Sequence, residues 1–154
     1  MAGWIAVQRG VKINYDIETN PLEIKSGREL GSGNELYVEF YASQGEYVGG
    51  VQIDLDIDRP EYRIKNCMIH ETYLPVDIPT ARVKVWRITV IRSSGIIGLQ
   101  ILCNGEEVLN TVLSDSVCTD WSHWHEYWNR DIAKIQFSSH DTVSDYYRPY
   151  QPGN

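Results

Sequence analysis

The sequence predicts an all-β fold: a two-sheet antiparallel β-sandwich, jelly-roll-like, with at most one short helix. Three observations predict it. First, the dominant periodicity is two, in Leu36-Tyr-Val-Glu-Phe-Tyr-Ala, Val51-Gln-Ile-Asp-Leu-Asp-Ile-Asp and Val83-Lys-Val-Trp-Arg-Ile-Thr-Val-Ile, which places one face of each segment on a core. Second, Asn104-Gly105 separates the buried-strand run Ile96–Cys103 from Glu106–Leu113. Asn-Gly between strand patterns marks a type I′ hairpin, because both central residues need positive φ. Third, turn clusters recur along the chain: Ser26-Gly-Arg, Gly31-Ser-Gly-Asn, Gly49-Gly50, Asp58-Arg-Pro and Ser93-Ser-Gly. About eight strands at that spacing indicate a sandwich.

Further strands are expected at Trp4–Gln8, Val11–Ile17, Arg63–His70 and Ile132–Ser138. The tail Tyr150-Gln-Pro-Gly-Asn reads as loose or packed along the surface. The helical candidate is Asp120–Trp128. Its Trp121, Trp124 and Trp128 fall at i, i+3 and i+7 on one face, and Thr119 or Asp120 can cap its first turn.

At 154 residues and 17.7 kDa the chain reads as one domain, 1–154, with no repeat or linker. The net charge of −7 argues against a nucleic-acid binder, and no apolar run is long enough to span a membrane. Charge is uneven: residues 35–80 carry nine acids and three bases, whereas residues 81–100 carry four bases and no acid. Opposite signs on neighbouring strands favour correct pairing. Ten Tyr and five Trp against two Phe suit strands and also suit a half-wet binding surface.

The cysteines are Cys67, Cys103 and Cys118, with no CxxC pair. A Cys103–Cys118 disulfide would close a short loop and leave Cys67 for a bridge between chains. The alternative is three buried thiols in a cytosolic protein. The first ten residues show no basic and apolar leader, so any secretion signal is expected to be removed or never to have existed.

Enzyme templates are absent: there is no GxSxG, Walker A loop, GxGxxG or HExxH. His123 and His125 are two apart, so on a helix they diverge and do not share a metal. Asp54, Asp56 and Asp58 alternate on one strand face, where calcium would relieve their repulsion, but a solvated face is the simpler reading. The C-terminal third is richer. Cys118–Asn129 gathers three Trp, one Tyr, two His and two acids, and Ser138–Arg148 adds Asp141, Asp145 and several hydroxyls. Side by side, the two stretches would offer aromatic planes for the C–H face of a sugar and polar groups for its hydroxyls. Asp120, Glu126, Asp141 and Asp145 would be hard ligands for a calcium ion with open positions.

The run Cys103-Asn-Gly-Glu-Glu-Val-Leu-Asn, then Cys118, Trp121, Trp128, Ile135-Gln-Phe and Asp141-Thr-Val-Ser-Asp-Tyr-Tyr-Arg, resembles a C-terminal module of secreted marine-invertebrate proteins. In particular it resembles the calcium-dependent galactose-binding lectins of sea anemones. The resemblance covers roughly residues 80–150. It implies a β-sandwich lectin, a homodimer, and calcium bridging protein and sugar. The chain lacks the Gln-Pro-Asp or Glu-Pro-Asn triplet of common C-type lectins. The expectation is therefore a secreted, non-enzymatic, hemagglutinating lectin for terminal galactose, using Ca2+. Trp121 or Trp124 would stack on the sugar, His123, His125 and Tyr127 would donate to its hydroxyls, and dimerisation, through Cys67 if covalent, would supply avidity. Two rivals stand beside it: a structural or protein-interaction sandwich with no small ligand, and a glycan- or lipid-acting enzyme using Asp120 and Glu126 as a carboxylate pair.

Overall fold

The computed structural model describes residues 3–31, 33–56 and 58–152. Ser32 of the second turn cluster, Ile57 of the expected strand 51–58 and the last two residues of the tail lie outside them. Two antiparallel sheets of six strands face each other. Sheet 1 has the order β1 (Ile5–Ala6), β12 (Asp145–Pro149), β3 (Leu22–Ser26), β8 (Lys84–Ser93), β9 (Ile96–Cys103), β10 (Glu106–Val112). Sheet 2 has the order β2 (Ile13–Asn14), β11 (Lys134–Phe137), β4 (Glu35–Tyr41), β5 (Tyr47–Asp54), β6 (Glu61–Lys65), β7 (Thr72–Tyr73).

The period-two residues do what the pattern requires. Trp86, Ile88 and Val90 of β8 and Leu99 and Ile101 of β9 point inward, opposite Leu36, Val38 and Phe40 of β4, and all are buried. Each such side chain contributes roughly 1.5–3 kcal/mol. The β9–β10 turn has Asn104 at φ 51° and Gly105 at φ 85°, the geometry expected of Asn-Gly. Three strands escape the pattern. Leu22–Ser26 adjoins a turn cluster, Thr72–Tyr73 is too short to show a period, and Asp145–Pro149 alternates buried Asp145 and Tyr147 with outward Tyr146 and Arg148. A buried acid in place of an apolar residue disguises that last alternation.

Gly49-Gly50 is not a turn but the middle of β5. Gly49 makes room for an indole: a Cβ there would lie 2.5 Å from Cζ2 of Trp128 and 2.7 Å from the Lys65 carbonyl. Trp128 belongs to α1 (Trp124–Trp128), the one helix among the described residues, shorter than the expected Asp120–Trp128, and its N-cap His123 makes no side-chain capping bond. The indole is fully buried, packs edge-on against Phe40 with centroids 6.0 Å apart, and donates from Nε1 to the Lys65 carbonyl at 3.0 Å.

The expected cysteine pairing is corrected. Cys67 bonds Cys118 within the chain, and Cys103 is the free thiol. Segment 113–123 leaves the edge strand of sheet 1 and crosses to α1 against sheet 2, so Cys118 meets Cys67, two residues beyond β6. Cys103 points into the core of β9, where burial pushes its thiol up to about 12. Cys67 is itself fully buried and holds an intrachain partner, so it does not link two chains.

Candidate functional site

The outward face of sheet 2 collects the chemistry. On β4 the even-numbered residues fill the core, so Glu35, Tyr37, Glu39 and Tyr41 lie on the outward face, Glu35 nearly covered there. The register aligns them with neighbours: Tyr37 opposite Gln52 and Gln52 opposite Arg63; Glu39 opposite Gly50 and Gly50 opposite Lys65; Tyr41 opposite Tyr47. Gly50 has no side chain, and a Cβ would lie 2.5 Å from the Val38 carbonyl. Across this gap the Tyr37 and Tyr47 hydroxyls lie close enough to shift one another's titration. Tyr37 also donates to Glu39 Oε2 at 3.3 Å, and the Tyr41 and Tyr47 rings lie 5.4 Å apart. The result is a half-buried aromatic floor. Burial, above all, pushes the Tyr37 hydroxyl up to about 12; burial, then the neighbouring Tyr37 hydroxyl, pushes Tyr47 higher still. Both therefore stay neutral and able to donate at ordinary pH.

The rim is polar. Gln52 donates to Glu35 Oε2 at 2.6 Å. Arg63 pairs with Glu71 at 3.2 Å, while its buried Nε has no hydrogen-bond partner among the described residues. An unmatched buried donor is costly. Lys65 lies over the Tyr37 ring, and burial, then neighbouring Arg63, lowers its pKa.

One end of this face is acidic. Oxygens of Asp54, Glu61 and Glu71 lie within 4.8 Å of one another, beside a cavity of about 160 Å³ that Glu35 also lines. These are the described carboxylates that could hold a cation. Burial, then the hydrogen bond and charge of Glu71, raises the Asp54 pKa. A carboxyl raised on folding leaves the fold unpenalised below its unfolded pKa and opposes it as pH climbs through the raised value. Asp54→Asn is therefore expected to raise Tm at pH 7 by on the order of 2 °C and to change little at pH 3.5, as thermal melts at the two pH values will show.

The expected convergence of the two C-terminal stretches is corrected. Trp128 of the helix sits against Gly49, which pairs with Phe40 at one end of β4. Asp141 accepts from the Glu35 N–H at the other end. Five strand positions separate them, about 17 Å. Asp141 and Asp145 are not open at a rim: Arg28 binds both, Arg9 pairs with both, and the Arg28 and Asp145 side chains are fully buried. Asp120 instead accepts from the His70 N–H, and Glu126 faces His123 at 3.4 Å on the exposed side of the helix. The four carboxylates thus do not form one ligand set. Of the three aspartates read as a strand face, only Asp54 lies in β5; Asp56 accepts from the Asp58 N–H in a turn.

The expected sugar contacts group around α1. Trp121 stacks at a tilt on Tyr127, their centroids 6.1 Å apart. Trp124 donates to Asp115 at 2.8 Å and meets His125 edge-on. Arg130 lies over Tyr127 and donates to the Tyr47 carbonyl, so this cluster borders the aromatic floor. Tyr37, Tyr41, Tyr47 and Gln52 were not singled out from sequence. The available signal was aromatic and acidic residues at the solvent-side positions of a period-two segment, but which strands lie beside it is not written there.

The architecture defines the class: a β-sandwich with the fold of galectins. The structure of galectin LEC-6 from Caenorhabditis elegans aligns at TM-score 0.55 and 12% identity, over 96% of this chain and 94% of that one. A tetrameric galectin from the ball sponge Cinachyrella aligns at TM-score 0.54 and 14% identity, over 92% and 99%. No family model and no curated protein matches the sequence.

Proposed function

We propose that the protein is a non-enzymatic lectin that binds terminal galactose of glycans on the outward face of sheet 2. The observation that carries this is the floor of Tyr37, Tyr41 and Tyr47 around side-chain-free Gly50, ringed by Gln52, Glu39, Arg63 and Lys65. A pyranose packs its C–H face on such rings, and its hydroxyls need oriented donors and acceptors around them. The galectin fold of the two structural neighbours supports the same reading. Trp121 and Tyr127 extend the aromatic surface at one end. Calcium, if it takes part, fits the Asp54, Glu61 and Glu71 carboxylates at the other end.

Calorimetric titration with lactose and with a desialylated, galactose-terminated glycoprotein tests this. Binding is expected, weak per site, and Tyr37→Ala and Gln52→Ala should each weaken it at least tenfold, on the order of the energy of one buried contact. No binding to either ligand overturns the lectin and favours an interaction sandwich. Binding that persists unchanged in a chelator removes calcium from the proposal while leaving the sugar site in place.

Secretion and a homodimer belong to the same proposal. A structural disulfide persists in oxidising compartments, so one thiol, Cys103, should react in denaturant without reductant, and three after reduction. Agglutination of red cells needs at least two sites per particle, so a monomer in sedimentation that nevertheless agglutinates would contradict the dimer.

A further inference from the structure

The outward face of sheet 1 interleaves cations with two acids, Glu23 of β3 and Glu107 of β10. Three cations lie on it, each against an aromatic ring. Lys25 Nζ is 5.1 Å from the centroid of Trp4 and 5.4 Å from that of Tyr146; Arg148 Cζ is 3.9 Å from Trp4; Arg87 Cζ is 3.5 Å from Tyr150. Register places them together. Glu23 of β3 stands opposite both Arg148 of β12 and Arg87 of β8, and Lys25 stands opposite Tyr146. Two strand spacings put Arg87 and Arg148 about 10 Å apart.

Only Arg148 is neutralised there, by Glu23 at 3.1 Å. Among the described residues no carboxylate lies within ion-pair distance of Lys25 or Arg87, and the buried Arg87 Nε has no hydrogen-bond partner. A guanidinium stacked flat on a ring keeps its N–H donors in its own plane, directed outward from the stack. Beside the ladder, a largely apolar cavity of about 310 Å³ opens between Lys25, Tyr146 and Val83. Tyr146 and Val83 are well exposed at its mouth.

We propose that this face is a second binding site, for a short sulfated oligosaccharide. Its sulfates meet Lys25, Arg87 and Arg148, and its sugar rings lie along Tyr146 and the cavity. The charge of the rest of the molecule favours a short ligand. The chain carries −7 overall, and the opposite sheet presents Glu35, Asp54, Glu61 and Glu71, so a long polyanion such as nucleic acid, or an extended anionic bilayer, meets repulsion beyond the patch.

The test is titration with a heparin-derived sulfated hexasaccharide and with its desulfated counterpart, at 50 and 300 mM salt, against the Lys25→Gln/Arg87→Gln double variant. Expected are binding of the sulfated ligand at least tenfold tighter than the desulfated one, and weakening at high salt. The double variant should lose tenfold or more while keeping its Tm and its sheet 2 binding; Arg87→Lys, which keeps the charge, should lose less. Equal affinity for the two oligosaccharides, or an unaltered affinity in a folded double variant, overturns the proposal. So does tighter binding to an oligonucleotide or to phosphatidylserine vesicles. Because the residues lie on sheet 1, these outcomes are independent of whether galactose binds on sheet 2.

Discussion

Arg28→Met is expected to cost about 3–5 kcal/mol of stability at neutral pH, the penalty for stranding buried charge. The Arg28 side chain is fully enclosed. It reaches Asp141 through Nε and Nη2, both at 2.8 Å, and Asp145 through Nη1, which also donates to Ser26 at 2.8 Å. Methionine fills similar space but leaves two carboxylates with the partly exposed Arg9 as their one remaining cation among the described residues. The pH dependence separates this cause from simple loss of packing. Burial alone would raise the Asp141 pKa; the hydrogen bond and charge of Arg28 more than reverse it, and the group lies below the usual carboxylate range. In the natural protein the stabilisation is therefore complete above the unfolded value near 4 and is lost as pH falls through the depressed one. In the variant the carboxyl that has lost Arg28 holds its proton more readily, so acidification relieves it. The gap in Tm between the two proteins should be widest at pH 7 and narrow towards pH 4. A gap that does not change with pH would show that the arginine acts by packing alone.

Trp128→Ala should remove a comparable amount, about 3–5 kcal/mol, or roughly 6–20 °C in Tm for a chain of this length. The indole is the one fully buried side chain of α1. It holds the helix to the sheet through Phe40 and the Lys65 carbonyl. Its fit to Gly49 gives a sharper measurement. Gly49→Ala drives a methyl into the ring and should cost about 1–3 kcal/mol alone. In the Trp128→Ala background the ring is gone, and the same substitution should cost clearly less. A double-mutant cycle in urea measures that coupling; strict additivity would mean that Gly49 is required for the close approach of the Lys65 carbonyl and not for the indole.

The two tests bear on different parts of what was legible. Strands β4, β8 and β9 could be read residue by residue, because each alternates apolar and polar side chains and one face is buried; the Asn104-Gly105 turn could be read because its backbone demands those two residues. The same rules fail where a residue serves a partner far along the chain. Gly49-Gly50 reads as a turn until Trp128, almost eighty positions later, is known to occupy the space. Asp145 reads as a loop ligand until Arg28 is placed beneath it. Cys118 sits nearer Cys103 in sequence, yet bonds Cys67.

The candidate site shows the same division. Tyr37, Glu39 and Tyr41 are on the solvent side of their strand by periodicity alone. That Tyr47, Gln52, Arg63 and Lys65 complete the floor and rim depends on the order β4-β5-β6 and on a register exact to one residue. By itself the sequence determined an antiparallel β-sandwich, its buried faces and its hairpin, since these follow from local alternation and backbone preference. The tertiary structure alone decided the strand order, the Cys67–Cys118 bond, the Arg28 ion network and the identity of the exposed aromatic face. Each of those depends on which distant segments meet, a choice made by burial and charge pairing across the whole molecule and not by any stretch of neighbours.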